Sequence, residues 1–251
     1  MQNIILVTMD GDSAQLPKPF KKRLCFSHCL SPAGALRRRI AMLEPANSIM
    51  GVSDLVALAQ EAGGNVSRLC ADLVAEAEEL GSPGVFLDFE QNYPLMQDFL
   101  AEADEALAQA RIPLYVPERC ARGLRYAIAV CEAAVSGGSF DRRVEDLLGC
   151  YGPRRVAAML QPICAGFDLP SEGASGQELS LTELAELRAR YRAQVYFSKE
   201  LCAKYFTYMD ERAQGHFILF DDRSTMQEKN RRLEALGITS FVLARDAPLF
   251  L

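Results

Sequence analysis

An α/β chain closing into a single (β/α)8 TIM barrel with an incomplete ring of helices is the fold class the sequence predicts, on three observations. Eight short apolar, β-branched-rich runs recur along it, helix-period stretches fill several of the gaps, and the length of 251 residues is that of one such barrel, ~250. Hydrophobic residues at 49% and charged residues at 24% match ordinary globular usage, so a sizeable core is expected.

The strands are expected at residues 4–9, 23–26, 48–52, 84–89, 112–116, 126–130, 156–161 and 238–243. Between the third and fourth, Val66, Leu69, Cys70, Leu73, Val74, Ala77 and Leu80 share one face at helical spacing. After the fourth, Leu95, Met96, Phe99, Leu100, Ala103 and Leu107 repeat that pattern. Strands alternating with helices pair in parallel through crossovers, and eight of them suggest closure. Residues 12–22, with Pro17 and Pro19, show no helix, and residues 244–251 are too few for a final one; a doubly wound open sheet is the alternative. The basic run Arg37-Arg38-Arg39 sits in a short helical pattern and reads as a solvated face. A rim insertion is expected at 171–222, within one domain of 1–251. It holds a Gly/Ser-rich loop, a capping box at Ser180-Leu-Thr-Glu183 opening a helix to about Arg192, and strand-like pieces at 194–198, 204–209 and 216–220. Ser224-Thr-Met-Gln227 then caps a helix leading into strand eight.

A net charge of −6 argues against nucleic-acid and anionic-membrane partners, which need clustered Lys and Arg. No apolar run approaches the ~20 residues of a membrane span, and the first residues lack a basic leader pattern. The eight Cys, at 25, 29, 70, 120, 131, 150, 164 and 202, therefore read as buried free thiols of a reducing, cytoplasmic compartment. Cys25, His28 and Cys29 offer soft ligands to zinc but lack a partner pair, so buried thiols and a loop histidine are the reading. Gly63-Gly64-Asn65 reads as a helix cap rather than a phosphate cradle, and His216 as structural. Neither metal nor cofactor is expected; the oligomeric state has no signature.

The chemistry lies in Gly84-Val85-Phe86-Leu87-Asp88-Phe89-Glu90. Side chains alternate along a strand, so Phe86, Asp88 and Glu90 share one face and Val85, Leu87 and Phe89 the other. In a barrel the first set points inward, with both acids near the carboxyl end where barrel active sites sit. Close carboxylates raise each other's affinity for a proton, which suits acid catalysis; capping of the strand end is the plainer alternative.

This stretch resembles the fourth-strand signature Asp-Gly-x-Asp-x-Asp-x-Glu of the family 18 glycoside hydrolases, with Gly84, Asp88 and Glu90 matching and Pro83 and Phe86 replacing acids. Tyr205-Phe-Thr-Tyr-Met-Asp210, Gly215-His216 through Phe220-Asp-Asp-Arg-Ser224, Lys229 and Leu236-Gly-Ile238 are similar to the spore-associated, peptidoglycan-active branch of that family, and Ile163-Cys-Ala-Gly-Phe-Asp168 resembles the family's seventh-strand exit. The resemblance covers 82–243 in patches. It implies a chitinase-like barrel acting on an N-acetylglucosamine glycan of chitin or peptidoglycan type. In that scheme Glu90 protonates the glycosidic oxygen and Asp88 orients the substrate's acetamido group, which is itself the nucleophile. A spore-associated or intracellular recycling role is one the resemblance suggests.

The sequence departs from that pattern where substrate touches. Phe86 cannot pass a proton to Asp88, strand six reads Tyr126-Ala-Ile-Ala-Val-Cys131-Glu132 in place of the family's Met-x-Tyr-Asp, and there is no Trp to form the floor under the reacting sugar. Tyr93, Tyr115, Glu118, Glu132 and Phe167 are the candidate substrate-binding residues, Glu118 and Glu132 also as partners of Glu90 in an altered two-carboxylate site. Asp10 and Asp12 follow strand one and read as loop residues. A glycan- or protein-binding barrel without turnover is the competing reading.

Overall fold

The structure is a computed structural model that describes residues 3–8, 22–31, 34–42, 44–54, 65–90, 94–170, 176–244 and 247. In chain order its first half runs β1 (Asn3–Thr8), β2 (Lys22–Leu30), β3 (Leu36–Arg38), β4 (Ser48–Ser53), α1 (Val66–Glu79), β5 (Val85–Asp88), α2 (Pro94–Gln109) and β6 (Leu114–Pro117). After a 3-10 turn at Glu118–Cys120 come β7 (Ile128–Glu132), α3 (Phe140–Tyr151) and β8 (Val156–Leu160). The chain continues through β9 (Cys164–Leu169), β10 (Gln177–Glu178), α4 (Leu181–Tyr191), β11 (Tyr196–Ser198), β12 (Ala203–Met209) and β13 (Gly215–Phe220) before α5 (Arg223–Ala235) and β14 (Ser240–Leu243).

Eight parallel strands lie in the order β1-β14-β8-β7-β6-β5-β4-β2, and β1 pairs with β2 to close the ring. The barrel is the expected one, strand for strand, and the open-sheet alternative falls. β3 is an antiparallel addition to β2, with Cys29 opposite Arg37. The basic run was expected on a helical face. It is instead largely a strand edge, because a hairpin onto β2 satisfies backbone groups that three residues of helix could not.

Period-two alternation sorts the barrel strands into two apolar sets. Ile5, Leu24, Ile49, Phe86, Tyr115, Val130, Ala157 and Val242 fill the lumen. Residues one position along, such as Met50, Val85, Leu87, Val116 and Ala129, face outward onto α1 and α2, and Ala158, Phe241 and Leu243 pack in the cluster that also holds Phe140 and Val144 of α3 and Met226 and Leu233 of α5. The lumen is thus a packed core rather than a pore. A register shift between Cys25 and His28 bulges β2 and presses it on Gly51, where a Cβ would stand 2.9 Å from the Cys25 carbonyl oxygen.

The predicted helices at 66–80 and 95–107 are α1 and α2, and α1 starts at Asn65, whose side chain accepts the Arg68 N–H; Gly63 and Gly64 lie outside the described residues. β6 leads to β7 through only the 3-10 turn and a loop, so the ring of helices is incomplete there. No helix among the described residues is long and apolar enough to cross a membrane.

The insertion is larger than expected. Cys164–Leu169, anticipated as the exit of strand seven, is an antiparallel strand of a second sheet ordered β10-β9-β13-β12-β11. α4 carries the predicted capping box on Ser180 and Glu183 and covers one sheet face through Leu184, Phe206, Ile218 and Phe220. α5 is capped by Asp222 with Thr225, rather than by Ser224. Asp222 wins because it also pairs with Lys204 and Ser224. The two ends of the insertion pair along β9 and β13, and a knot closes them where they meet the barrel. The Asp221 N–H donates to the Ile163 carbonyl (2.7 Å), and Asp221 Oδ2 accepts from the Ile163 N–H (2.9 Å) and from buried Lys229 Nζ (2.6 Å).

All eight Cys are free thiols, but they are not uniformly buried: Cys120 and Cys164 are half-buried and Cys150 is exposed, on the outer side of α3 near its end. His28, expected in a loop, is buried on β2 between Ser27 Oγ (2.8 Å) and Glu76 Oε1 (2.9 Å).

Candidate functional site

β5 delivers the carboxylates. Its outward residues Val85, Leu87 and Phe89 anchor it against the helices, Phe89 lying 5.9 Å from Phe99 of α2 between ring centroids. Its inward residues rise up the lumen. Phe86, 2% exposed, meets Phe26 edge-on at 5.8 Å and fills the space beneath Asp88. Asp88 ends the strand at the rim, and Glu90 follows, exposed.

Two neighbours pin this strand end. Asp54, just after β4, accepts the Glu90 N–H on Oδ1 at 3.1 Å. Arg119, in the 3-10 turn after β6, donates from Nη2 to Asp88 Oδ1 at 2.7 Å and to the Phe89 carbonyl at 3.2 Å. Burial pushes the Asp88 carboxyl above its ordinary range, and Arg119 works against this while the charges of Glu90 and Asp54 add to it. The result is a protected, partly neutralised carboxylate at the mouth, with a second carboxylate two residues on. Neither Arg119 nor Asp54 was singled out in the sequence. Arg119 had a signal: continuing the alternation of β6 past Pro117 puts Glu118 outside and Arg119 inside.

The other candidates are dispersed. Glu118 turns away from the mouth to pair with Arg143 of α3. Cys131 lies beside that pair, its thiol pushed up to about 12, chiefly by burial. Glu132 ends β7 and is exposed at the rim. Tyr115 is buried in the lumen beside Phe86, below the carboxylates. Phe167 belongs to β9, 6.1 Å from the Phe217 ring, in the insertion. Tyr93, Asp10 and Asp12 lie outside the described residues. What adjoins Glu90 is a groove of about 530 Å³ between α2 and the turn after β6, lined by Met96, Leu100, Leu124, Arg119 and Arg122 among others.

His216 sits on β13, stacked on Tyr208 at 4.7 Å with Asp168 2.9 Å from Nδ1, a structural setting. Among the described residues no three His, Cys, Asp or Glu side chains gather as a metal site would require.

No family profile and no curated protein matches the chain. Solved structures do. A chitinase from Chromobacterium violaceum superposes with a TM-score of 0.69 at 14% identity, over 97% of this chain and 93% of that one. The spore cortex-lytic enzyme SleL of Bacillus megaterium gives 0.62 at 17% identity, over 96% of this chain and 70% of that one. A class V chitinase from Nicotiana tobaccum, solved in complex with NAG4, gives 0.61 at 11% identity, over 97% and 93%. The chain has the barrel fold of these chitinases and spore glycosylases; at such identities the likeness speaks for the fold.

Proposed function

We propose that this chain is a glycoside hydrolase-like barrel that holds an N-acetylglucosamine-containing glycan, of peptidoglycan or chitin type, at its mouth without cleaving it. The observation that carries this reading is Phe86. Substrate-assisted cleavage asks the aspartate to orient the acetamido group and stabilise the charged ring that forms from it. Here the position below Asp88 is a buried phenyl ring packed on Phe26, and Asp88 is tied to Arg119. The machinery for moving charge through the aspartate is gone, while the rim that would hold a sugar keeps two acids. That a barrel of the same fold was solved with an oligosaccharide supports the choice of ligand.

Hydrolysis, with Glu90 as the proton donor, is the second reading. One observation favours it: Asp88 and Glu90 stand at the same strand end, at the carboxyl end of a barrel strand, where barrel active sites sit. Wild type and Glu90→Gln, compared on N-acetylglucosamine oligomers and peptidoglycan, separate the two. Binding by both proteins with no product from either is expected. Product from wild type that Glu90→Gln abolishes would transfer the function to hydrolysis, and no binding by either would remove both readings.

A further inference from the structure

Arg119 belongs to no part of the sequence pattern that first marked the site, yet it makes the most specific contact in it. Its guanidinium spans a side chain and the main chain of β5: Nη2 reaches Asp88 Oδ1 at 2.7 Å and the Phe89 carbonyl at 3.2 Å, and Nε reaches the same carbonyl at 3.4 Å. A planar fork anchored on a carbonyl cannot follow a rotating carboxylate, so it dictates where the carboxylate sits. Asp54 holds the next peptide from the other side through the Glu90 N–H. Asp88 Oδ2 takes no hydrogen bond among the described residues, and the side chain is 36% exposed. One oxygen is thus committed to Arg119 and the other is open to a ligand. Beneath lies the buried Phe86 ring, which can offer neither a proton nor a second position for the carboxylate.

We propose that Arg119 is the positioning residue of the mouth: it holds Asp88 in one rotamer, with Oδ2 left to accept from the acetamido group that the family 18 resemblance already assigns to this aspartate. The inference rests on the glycan-binding reading and gives it a polarity, since an ionised carboxylate can only accept. Among the described residues the groups facing Asp88 are Arg119 and Cys120 from the turn after β6, Asp54 after β4 and Glu90 two residues on. Of these, Arg119 alone favours the charged form; burial, Glu90 and Asp54 all oppose it. Without the guanidinium Asp88 takes up a proton at higher pH and presents a hydroxyl to an N–H that needs an acceptor. Binding is present while Asp88 is ionised and lost as pH falls through its titration, so removing Arg119 moves that loss to higher pH.

The test compares wild type, Arg119→Gln, Arg119→Lys and Asp88→Asn, each with and without N-acetylglucosamine oligomers. Ligand-free NMR of the Asp88 carboxyl carbon is expected to show its titration displaced upward in Arg119→Gln and partly restored in Arg119→Lys, which keeps the charge without the fork. Calorimetry is expected to show oligomer affinity about tenfold weaker in Arg119→Gln near neutral pH, with its pH profile displaced in the same direction. Arg119→Gln is expected to have no further effect on top of Asp88→Asn. An Asp88 titration unchanged in Arg119→Gln overturns the proposal whatever the ligand does, and should that variant not fold, Arg119→Lys gives the same readout with a smaller displacement. A displaced titration with no oligomer binding by wild type removes both the glycan reading and the ligand role assigned to Oδ2, leaving Arg119 as a structural partner of Asp88. Binding that is equal in all variants overturns the proposal and leaves the glycan reading standing.

Discussion

Three buried polar residues away from the mouth, His28 and the pair Lys229 and Asp221, set how the protein responds to acid and to mutation. His28 is enclosed on β2, and burial, the largest influence, draws its imidazole below the ordinary 6.5 although Glu76 pulls the other way. The folded protein therefore resists protonating a ring that the unfolded chain protonates readily. As pH falls through 6.5 the unfolded state gains a proton that the native state refuses, and stability drops. Urea midpoints measured between about pH 7.5 and about pH 5.5 are expected to fall for wild type and to fall less steeply for His28→Gln; equal slopes would place the acid sensitivity elsewhere. Lys229 and Asp221 are both fully buried and paired at 2.6 Å. Lys229→Met would leave the carboxylate without its counter-charge, and a loss of about 3 kcal/mol is expected. The double variant Lys229→Met with Asp221→Asn should recover part of it in the same denaturation experiment.

At the scale of elements, α5 illustrates what local pattern can and cannot decide. Asp222 accepts the Thr225 N–H at 3.1 Å, Thr225 returns a bond to the Asp222 N–H, and Lys204 arrives from β12. Although burial works against its charge, these partners hold the Asp222 carboxyl below its ordinary range. Asp222→Ala is expected to cost about 1 kcal/mol in denaturant titration, and Ser224→Ala, which removes exposed side bonds to Asp222 and Lys204 and leaves the cap itself, clearly less. The sequence pointed to Ser224 because Ser-x-x-Gln and Asp-x-x-Thr overlap there and the deciding Lys204 comes from a distant strand. α1 and α2 were legible because apolar periodicity over three or more turns is carried by the segment itself. The basic run at Arg37 and Arg38 was misread for the converse reason: its strand character comes from β2, not from its own residues.

For the whole molecule, the barrel was readable because its lumen and its outer wall each demand apolar side chains, and eight strands of alternating duty leave a strong trace. The mouth was only half readable. Asp88 followed from the alternation of β5, but its partner depended on how the chain turns after β6, where a 3-10 turn stands in place of a helix. Tyr115 sank below the site because its strand pairs with Phe86 directly opposite it. The distribution of thiols offers a global test of the packing. Cys70 and Cys131 are pushed up to about 12 and Cys202 to about 11, in each case chiefly by burial. A thiol reagent at mildly alkaline pH is expected to modify Cys150 in the native protein, and Cys25, Cys29, Cys70, Cys131 and Cys202 only across the global unfolding transition. Early modification of any of these five, as peptide mapping would show, contradicts their enclosure.

The knot at Ile163, Asp221 and Lys229 has a consequence of another kind. Because two hydrogen bonds between Ile163 and Asp221 join the points where the chain leaves the barrel and returns to it, the segment from β9 to β13 is a cassette that begins and ends at one buckle. Such a cassette can lengthen or shorten at its far loops without disturbing the strands on either side, so long as the buckle fits and the stretch from Lys199 to Lys204 keeps its seat on α3 and α5. A designer could graft a foreign sheet edge here by keeping those two anchors and changing what lies beyond them.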